Sequence, residues 1–276
     1  MIILLNKMKI IKANGEVVSF NRKKIENSVY RSGASRSIAK KISKDVESSV
    51  KTGMKTSQIQ KITLKSLGSC PIVRYKYNLK DAIMSLGPSG YTFEKYIAKI
   101  LDNYGYKTEV GKKLRGKVVI QEIDIIATKN NFTSMIEAKY HNSHGIRTNT
   151  KVAMYTYARF LDVKSNPKNS FNDTWLVTNT ACTNNAVRYS EGVKLKVISW
   201  NYPKSKNLRD MIEEKKLYPI TIFKSISKSN LDKLFRANIV LAKDLSNSEI
   251  NSLLRTTRIN PKELKKIINM AKEVCT

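Results

Sequence analysis

The chain has 276 residues, and its 51 lysines and arginines exceed its 22 aspartates and glutamates by 29 charges. A field of this sign attracts polyanions, so DNA is the expected partner and RNA is the alternative. No apolar run approaches the roughly 20 residues that span a bilayer, so no membrane partner is expected. Residues 1–5 are too short for a signal-peptide core and are expected to form an edge strand. The three scattered cysteines indicate neither a disulfide framework nor a zinc site, which fits a reducing cytoplasm.

The first elements in the chain are predicted to be a hairpin followed by helices. Residues 7–13 and 16–20 are expected to be its two strands, because Asn14-Gly15 is a strong two-residue turn signal. Three helices are then predicted near residues 22–31, 35–51 and 56–67. A small α+β domain therefore opens the chain.

This opening region resembles the ATP-cone domain, which binds ATP or dATP as a regulatory ligand. The resemblance covers roughly residues 7–87, and it is carried by residues 11–15, 20–25, 54–59 and 73–75. It implies that Lys12 and Lys24 hold phosphates, that Asn21 and Thr56 line the nucleotide pocket, and that Arg74 lies nearby.

Two features bear on how such a domain uses its nucleotide. Ala13 stands where the ATP-cone family usually carries arginine, which removes a fork of hydrogen-bond donors from the phosphate site. No segment matches the phosphate-binding loop pattern G-x-x-x-x-G-K-[ST], so the nucleotide is expected to be a signal rather than a fuel. A cone that only packs against other parts of the protein remains the alternative.

The clearest break in the chain lies at residues 86–90, where glycine and proline end the preceding helix. We therefore place the end of the first domain at residue 87. A helix is predicted over residues 91–104, with an apolar stripe that faces a core. Glu94 lies at the edge of that stripe, from where it can lean toward a neighbouring site.

A second hairpin is predicted next, and it carries the most informative residues of the chain. Its strands are expected at residues 118–127 and 132–140, with a polar turn at residues 129–131. Side chains alternate along a strand, so Glu137 and Lys139 share one face, and pairing of the strands can bring Asp124 to them. Two carboxylates suit Mg²⁺ or Mn²⁺, and a nearby lysine can orient water or offset charge during phosphodiester hydrolysis.

The hairpin and its surroundings resemble the PD-(D/E)xK restriction-endonuclease-like superfamily, within it the Mrr-like and archaeal Holliday-junction-resolvase-like branch. The matching residues are 90–94, 105–106, 122–126 and 136–139, in a region of about 88–200 whose expected order is helix, hairpin, helix, strand, helix, strand. The resemblance implies that Asp124 and Glu137 ligate metal, that Lys139 is catalytic and that Glu94 is an accessory acid. It differs from the family at residues 111–117, a predicted charged loop where related enzymes often place glycines and a serine.

Further polar residues follow the hairpin. His141 has the parity of Glu137 and Lys139 if the strand continues, and we favour a supporting or DNA-contacting role over a loop cap. A helix is predicted over residues 150–161, and Lys151, Tyr155 and Arg159 recur along one of its faces at i, i+4 spacing. Such a stripe predicts a phosphate track, although a solvated helix face has the same pattern.

The last part of the chain is predicted to be helical, near residues 229–236, 247–255 and 261–273. It weakly resembles helix-hairpin-helix DNA-binding tails, with Asn238 at the position where glycine is expected. A dimerisation or docking module is equally compatible with the pattern.

The sequence thus predicts an α/β protein: a restriction-endonuclease-like mixed sheet flanked by helices, with an N-terminal α+β ATP-cone and a C-terminal small helical module. The predicted domains are 1–87, 88–222 and 223–276. The predicted activity is that of a metal-dependent endodeoxyribonuclease regulated by ATP or dATP. The alternative is a catalytically silent, nucleotide-responsive DNA-binding protein, and a homodimer or a higher oligomer stays open.

Overall fold

The structure is a computed structural model, and it describes residues 8–68 and 70–276. The edge strand expected at residues 1–5 lies outside these described residues. The chain forms two compact units, which divide between Asp81 and Ala82. Within the described ranges, no helix is both long and apolar enough to cross a membrane.

The first unit begins with the predicted hairpin. Strand β1 (Lys9–Ile11) pairs antiparallel with β2 (Val17–Ser19), so that Ile10 faces Val18 across the ladder. Gly15 adopts a φ of 84°, a conformation that a residue with a Cβ rarely takes, and this explains the glycine in the turn. The hairpin is confirmed, with strands shorter than those predicted.

Helices complete this unit around a single core. They are α1 (Arg22–Arg31), α2 (Arg36–Ser49), α3 (Thr56–Ser66) and α4 (Pro71–Tyr77). Ser35 caps α2 by accepting a hydrogen bond from the backbone N–H of Ile38. Val29, Val46, Ile59 and Leu67 are among the buried residues that hold these helices to the hairpin. The first three helices are confirmed within two residues of their predicted limits.

The second unit is built on a mixed five-stranded sheet. Its strands are β3 (Lys107–Arg115), β4 (Ile120–Lys129), β5 (Phe132–Lys139), β7 (Asp173–Thr178) and β9 (Lys196–Ile198), in the order β3-β4-β5-β7-β9. Strands β3, β4 and β5 are joined by antiparallel pairing, whereas β5, β7 and β9 are joined by parallel pairing. The predicted fold class, a helix-flanked mixed sheet joined to an α+β cone, is confirmed.

Helices and short strands connect this sheet. Helix α5 (Leu79–Met84) crosses the division between the units, and α6 (Tyr91–Asn103) precedes the sheet. The short parallel pair β6 (Arg147–Thr148) and β8 (Ala181–Cys182), helix α7 (Thr150–Lys164) and helix α8 (Asn184–Gly192) make the crossovers to β7 and β9. Helix α7 packs on the sheet through Phe160 and Val163, which join Ile123 and Met135 in one apolar cluster.

The charged loop expected at residues 111–117 is a wrong prediction. Its residues as far as Arg115 belong to β3, which pairs with β4 over residues 107–115 and forms one edge of the sheet. An edge strand with one solvated face carries lysines rather than an alternating apolar pattern, since charge discourages pairing with another chain. The predicted first strand of the hairpin also shifts, because Val118 and Val119 lie in the turn before β4.

The C-terminal region lies in the same compact unit as the sheet. It contains α9 (Leu208–Glu214), a 3₁₀ turn at Ile220–Ile222, α10 (Lys228–Arg236), α11 (Ala242–Asn247), α12 (Ile250–Thr257) and α13 (Pro261–Cys275). Lys99 of α6 pairs with Asp244 at 3.8 Å, and Tyr96 Oη donates to the Leu217 carbonyl at 2.9 Å. Asn238 has a φ of 59°, so asparagine takes the left-handed position that glycine usually fills.

Candidate functional site

The acid pair of the second unit lies where the ladder between β4 and β5 opens. The last regular pair is Ile125 with Ile136, so the same register sets Asp124 opposite Glu137. There the Ala138 N–H donates to Asp124 Oδ2 at 2.8 Å, and β5 continues on its other side by pairing with β7. The sheet thus supplies a carboxylate with a fixed orientation, because the backbone amide holds one of its oxygens.

Strand alternation decides what faces this opening. Ile136 and Ala138 are buried on one side of β5, while Glu137 and Lys139 are only half-buried on the other side. On β4, Ile123 and Ile125 are buried on either side of Asp124 along the sequence. The apolar neighbours anchor both strands in the core, which fixes the polar side chains relative to one another.

Glu94 joins the acids from helix α6. Phe93, Tyr96 and Ile97 are fully buried, so the first turn of the helix is held against the core and Glu94 lies at its edge. Burial, followed by the charges of Asp124, Glu122 and Glu137, raises the pKa of Glu94 to about 7. The position that the sequence favoured for Glu94 therefore places it within electrostatic reach of the acid pair.

Arg159 of α7 is the cation that contacts this cluster most directly. Its Nη1 lies 2.6 Å from Glu137 Oε2, and both side chains are only 12% exposed. The same nitrogen donates to the Glu122 carbonyl at 3.0 Å, and Tyr155 packs against the guanidinium with its ring centroid 4.4 Å away. The sequence left Arg159 on either a phosphate track or a solvated helix face, and its burial beside Glu137 excludes the solvated face.

The i, i+4 spacing of Tyr155 and Arg159 correctly placed the two side chains on one face of α7. Tyr155 Oη accepts a hydrogen bond from Arg159 Nη2, so the two side chains form a contact within the helix. Which face of α7 meets the sheet depends on residues distant in sequence, and this placed Arg159 against Glu137. Glu122, whose role the sequence did not indicate, contributes both a carbonyl and a charge to the same cluster.

The cluster concentrates negative charge that its own cations do not balance. Four carboxylates, on Glu94, Glu122, Asp124 and Glu137, stand beside the two cations Lys139 and Arg159. Burial and then Asp124 raise the pKa of Glu137 to about 7, although Arg159 and Lys139 act in the opposite direction. Burial also raises the pKa of Asp124, against the Ala138 hydrogen bond and Arg159. A further cation would relieve this excess.

The donor set of this cluster fits a hard divalent cation. Mg²⁺ and Mn²⁺ take carboxylate oxygens and keep several waters, so that one or two protein carboxylates suffice. One oxygen of Asp124 accepts the Ala138 amide and one oxygen of Glu137 contacts Arg159, which leaves the second oxygen of each for a metal. In the described part of the chain, no three histidine, cysteine or acidic side chains converge to enclose a metal by themselves.

His141 does not extend the row of Glu137 and Lys139, because β5 ends at Lys139. Its backbone N–H donates to Asn179 Oδ1 at 2.9 Å, and its Nε2 lies 3.2 Å from Thr148 Oγ1. Burial, followed by the charge of Lys139, lowers the pKa of the imidazole. The condition under which His141 would share the face of Glu137 and Lys139 is therefore not met, and its supporting or DNA-contacting role stays a prediction.

The first unit has a cavity of about 180 Å³ that brings the four predicted pocket residues together. Lys12, Asn21, Lys24 and Thr56 all line it. Asn21 precedes α1 without capping it by its side chain, and Thr56 is the first residue of α3. Two helix N-termini and two lysines therefore converge on the cavity, which is an arrangement suited to phosphate.

The remaining walls of this cavity are largely apolar, and they are formed by Ile10, Val18, Phe20, Ile25, Ile59 and Tyr77. Lys12 Nζ lies 3.0 Å from Glu16 Oε2, so this lysine has an internal partner that an anionic ligand must compete with. Arg74, expected nearby, is not among the lining residues.

Comparisons with known proteins agree with both parts of the chain. Family models described as ATP cone domain, Restriction endonuclease and AF1548-like, C-terminal match residues 8–81, 87–208 and 218–275, respectively. An uncharacterized protein of Archaeoglobus fulgidus is 38% identical over 178 residues, which are 64% of this chain and 99% of that protein. The crystal structure of a protein of unknown function, AF1548, is 36% identical with a TM-score of 0.61, and the match covers 68% of this chain and 98% of that one.

Proposed function

We propose that the chain is a metal-dependent endodeoxyribonuclease under nucleotide control. It belongs to the AF1548-like family and joins an ATP cone domain to a restriction endonuclease domain of the Mrr type. The observation that carries the proposal is the opening of the β4–β5 ladder. There Asp124 stands opposite Glu137, and Lys139 lies on the same face of β5.

Each residue of the cluster has a role in this proposal. Asp124 and Glu137 would hold the divalent cation, which when bound polarises the scissile phosphate and lowers the pKa of coordinated water. Lys139 orients the attacking water and offsets charge on the phosphorane-like transition state. Glu94, whose pKa burial and the neighbouring acids raise to about 7 before a cation binds, would be the accessory acid at the edge of the site.

Arg159 has a role beside these four. In the described chain its Nε is buried and makes no hydrogen bond, whereas its Nη1 contacts Glu137. Because Nε is enclosed, the accessible role of the guanidinium is its contact with Glu137. We therefore include Arg159 as a positioning group that holds Glu137 beside the expected cation.

The proposed substrate is DNA because of the charge of the chain. A net charge of +29 gives strong attraction to a polyphosphate backbone and little preference for particular bases. Each neutralised phosphate adds about −0.9 to the logarithmic salt slope on duplex DNA, so binding should weaken steeply with salt.

The proposed regulator is ATP or dATP in the cavity of the first unit. Lys12, Lys24 and the starts of α1 and α3 would hold the phosphates, while the apolar walls would enclose the base. No phosphate-binding loop pattern accompanies the cavity, so we propose that the nucleotide is bound and not hydrolysed.

A second candidate is a catalytically silent, nucleotide-responsive DNA-binding protein. The contact between Arg159 and Glu137 favours it, because an arginine already occupies one oxygen of the expected metal ligand. The two functions differ in one measurement. Plasmid, branched and single-stranded DNA are incubated with the full chain, with and without Mg²⁺ or Mn²⁺, and with and without ATP or dATP.

Cleavage that requires the metal and disappears in Glu137→Gln supports the nuclease. DNA binding without cleavage of any substrate, under any combination of metal and nucleotide, supports the silent protein instead. Glu109→Gln is the matched control, because Glu109 is an exposed glutamate on β3 of the same sheet.

A further inference from the structure

The turn between β3 and β4 presents three consecutive aliphatic side chains to solvent. Val118, Val119 and Ile120 are 70%, 49% and 62% exposed, respectively. Scattered exposed apolar residues are ordinary, whereas three in a row at the tip of a hairpin are not explained by packing within the domain. We call residues 116–120 the apolar tip.

The apolar tip is held in place by hydrogen bonds from helix α7. The carboxylate of Asp162 accepts the Val118 N–H at 2.8 Å and the Gln121 side-chain amide at 2.8 Å, and the Asp162 carbonyl accepts the Lys117 N–H at 2.9 Å. Gly116 donates to the Val119 carbonyl at 2.7 Å and closes the turn. A Cβ on Gly116 would overlap the Asp162 carboxylate, which explains the glycine.

These contacts satisfy the backbone of the tip while its side chains stay exposed. Asn166 and Asn169 also donate to the Arg115 carbonyl, so the end of β3 is fixed as well. The braced turn therefore keeps its aliphatic side chains in solvent, away from the core of the domain.

The charges around the tip indicate which partner. The end of β3 and the turn after it carry exposed positive charges that attract a polyanion, on Lys113, Arg115 and Lys117. A second copy of this chain would bring the same positive charges together, and three side chains fall far short of the roughly 800 Å² per partner of a stable interface. Charge complementarity and size therefore both favour nucleic acid.

We propose that the apolar tip is a wedge that enters between base steps of duplex DNA and unstacks them, which bends the substrate next to the acid cluster. Aliphatic side chains flanked by cations are the chemistry that opens base steps in this way. Strand β4 carries both Ile120 and Asp124, and four residues of strand span about 13 Å. That length equals about four base steps at 3.4 Å each.

This inference rests on the proposed function, since it requires that the domain binds DNA. The inference also changes the expected substrate. Duplexes that are already bent, mismatched or branched need less free energy for unstacking, so they should bind more tightly than regular duplex. The wedge would thus select for the shape of the DNA rather than for its sequence.

The test measures unstacking and binding separately. The full chain is mixed with duplexes that carry 2-aminopurine at successive single positions, in EDTA so that no cleavage occurs. The fluorescence of this base rises when it is unstacked, and anisotropy of a separate label reports binding. The variant Val118→Ser/Val119→Ser/Ile120→Ser is compared with Phe132→Ser, an exposed aromatic residue at the start of β5, where it pairs with Lys129 at the far end of β4.

The wild-type chain and Phe132→Ser should give a severalfold rise in fluorescence at one probe position, about four steps from the phosphate that is cleaved when Mg²⁺ is added. The triple variant should lose this rise while its affinity falls less than about tenfold, because the cations that contact the backbone remain. Exposed substitutions of this kind usually change stability by less than about 0.5 kcal/mol each. The double variant Val118→Ser/Val119→Ser leaves every strand residue intact and should give the same loss.

Three outcomes would overturn the wedge. If the wild-type chain binds DNA and no probe position responds, the wedge is wrong while the proposed function stands. If no DNA binds at all, both the wedge and the proposed substrate are wrong. If the triple variant keeps the fluorescence change but sediments as a smaller species than the wild-type chain, the tip is a contact between copies.

Discussion

The two candidate ligand sites have opposite electrostatic designs although they belong to one strongly basic chain. The cavity of the first unit gathers Lys12, Lys24 and two helix N-termini, all of which favour an anion. The cluster of the second unit gathers four carboxylates beside Lys139 and Arg159, and burial raises the pKa of Glu137 to about 7. The sign of the local charge, and not the net charge of the chain, therefore distinguishes a phosphate site from a cation site.

The two sites also differ in the elements that supply their residues. The cavity is formed by residues within 10–77, and Asn21, Lys24 and Thr56 lie at the beginnings of helices, where backbone amides point outward. The acid cluster is held by a sheet whose ladder opens at one step, and its residues come from α6, β4, β5 and α7. Both sites join residues from separate elements, but the first is built around helix starts and the second around paired strands.

The largest effect should come from removing a carboxylate of the acid pair. Glu137→Gln or Asp124→Ala should lower metal-dependent cleavage by at least about 10³-fold, since the cation loses a ligand. DNA affinity, measured in EDTA, should stay nearly unchanged because the basic surface is intact. If Glu137→Gln cleaves as fast as the control Glu109→Gln, the acid cluster is not the site of a catalytic cation.

The next effect concerns the lysine of the same cluster. Lys139→Ala should lower cleavage by about 10²–10³-fold, because a charge that stabilises the transition state is lost. The affinity for Mn²⁺, measured by calorimetry or electron paramagnetic resonance, should not fall, because both carboxylates remain. A loss of Mn²⁺ binding in this variant would show that Lys139 acts on the ligands rather than on the reaction.

A smaller effect is expected at the anion site. Lys12→Ala combined with Lys24→Ala should weaken ATP or dATP binding by about tenfold to hundredfold, because each lysine contributes a solvent-exposed contact worth roughly 0.5–1.5 kcal/mol. Nuclease activity without nucleotide should not change. The control is Lys9→Ala combined with Lys23→Ala, two exposed lysines that do not line the cavity.

Calorimetry decides this third prediction. If millimolar ATP, dATP or ADP gives no heat of binding with the wild-type chain, the cone is a structural domain. The loss of binding would then be attributed to Ala13, which stands where the family usually carries arginine. If the nucleotide does bind and changes DNA affinity, DNA must change nucleotide affinity by the same factor.

The smallest effect is a dependence of stability on pH. The pKa of Glu94 is about 7 in the folded chain and 4.5 for an unperturbed glutamate, so between these values the folded chain keeps a proton that the unfolded chain has released. In EDTA the free energy of unfolding should therefore fall as pH rises from 4.5 to 7 and stay low above 7.

Glu94→Gln should remove this penalty. After allowance for partial solvation, the variant should be more stable than the wild-type chain by about 1–2 kcal/mol at pH 8, which raises the melting temperature by a few degrees. At pH 4 the two should melt together, as measured by calorimetry in EDTA. An equal difference at both pH values would point to packing and not to charge.

Elements with a strong local signal were predicted closely, whereas the sheet edge was not. Helix α1 was placed at its observed limits, and Asn14-Gly15 marked the first hairpin correctly. Strand β3 was taken for a loop, because an edge strand with one solvated face lacks the alternation that identifies a strand. The positions of Asp124, Glu137 and Lys139 on facing strands followed from alternation alone, and their catalytic roles stay predictions.

The sequence by itself determined the cone and endonuclease domains and their two hairpins, and its resemblance to the cone named four of the twelve residues that line the cavity, because periodicity and motifs are local properties of a chain. The tertiary structure alone decided that Arg159 pairs with Glu137, that β5 ends before His141, and that the apolar tip is braced by Asp162. Each of these contacts joins residues that lie on separate elements or depends on how such elements pair. Such contacts depend on the angle at which α7 crosses the sheet and on where the ladder opens, and both are set by the packing of the whole core.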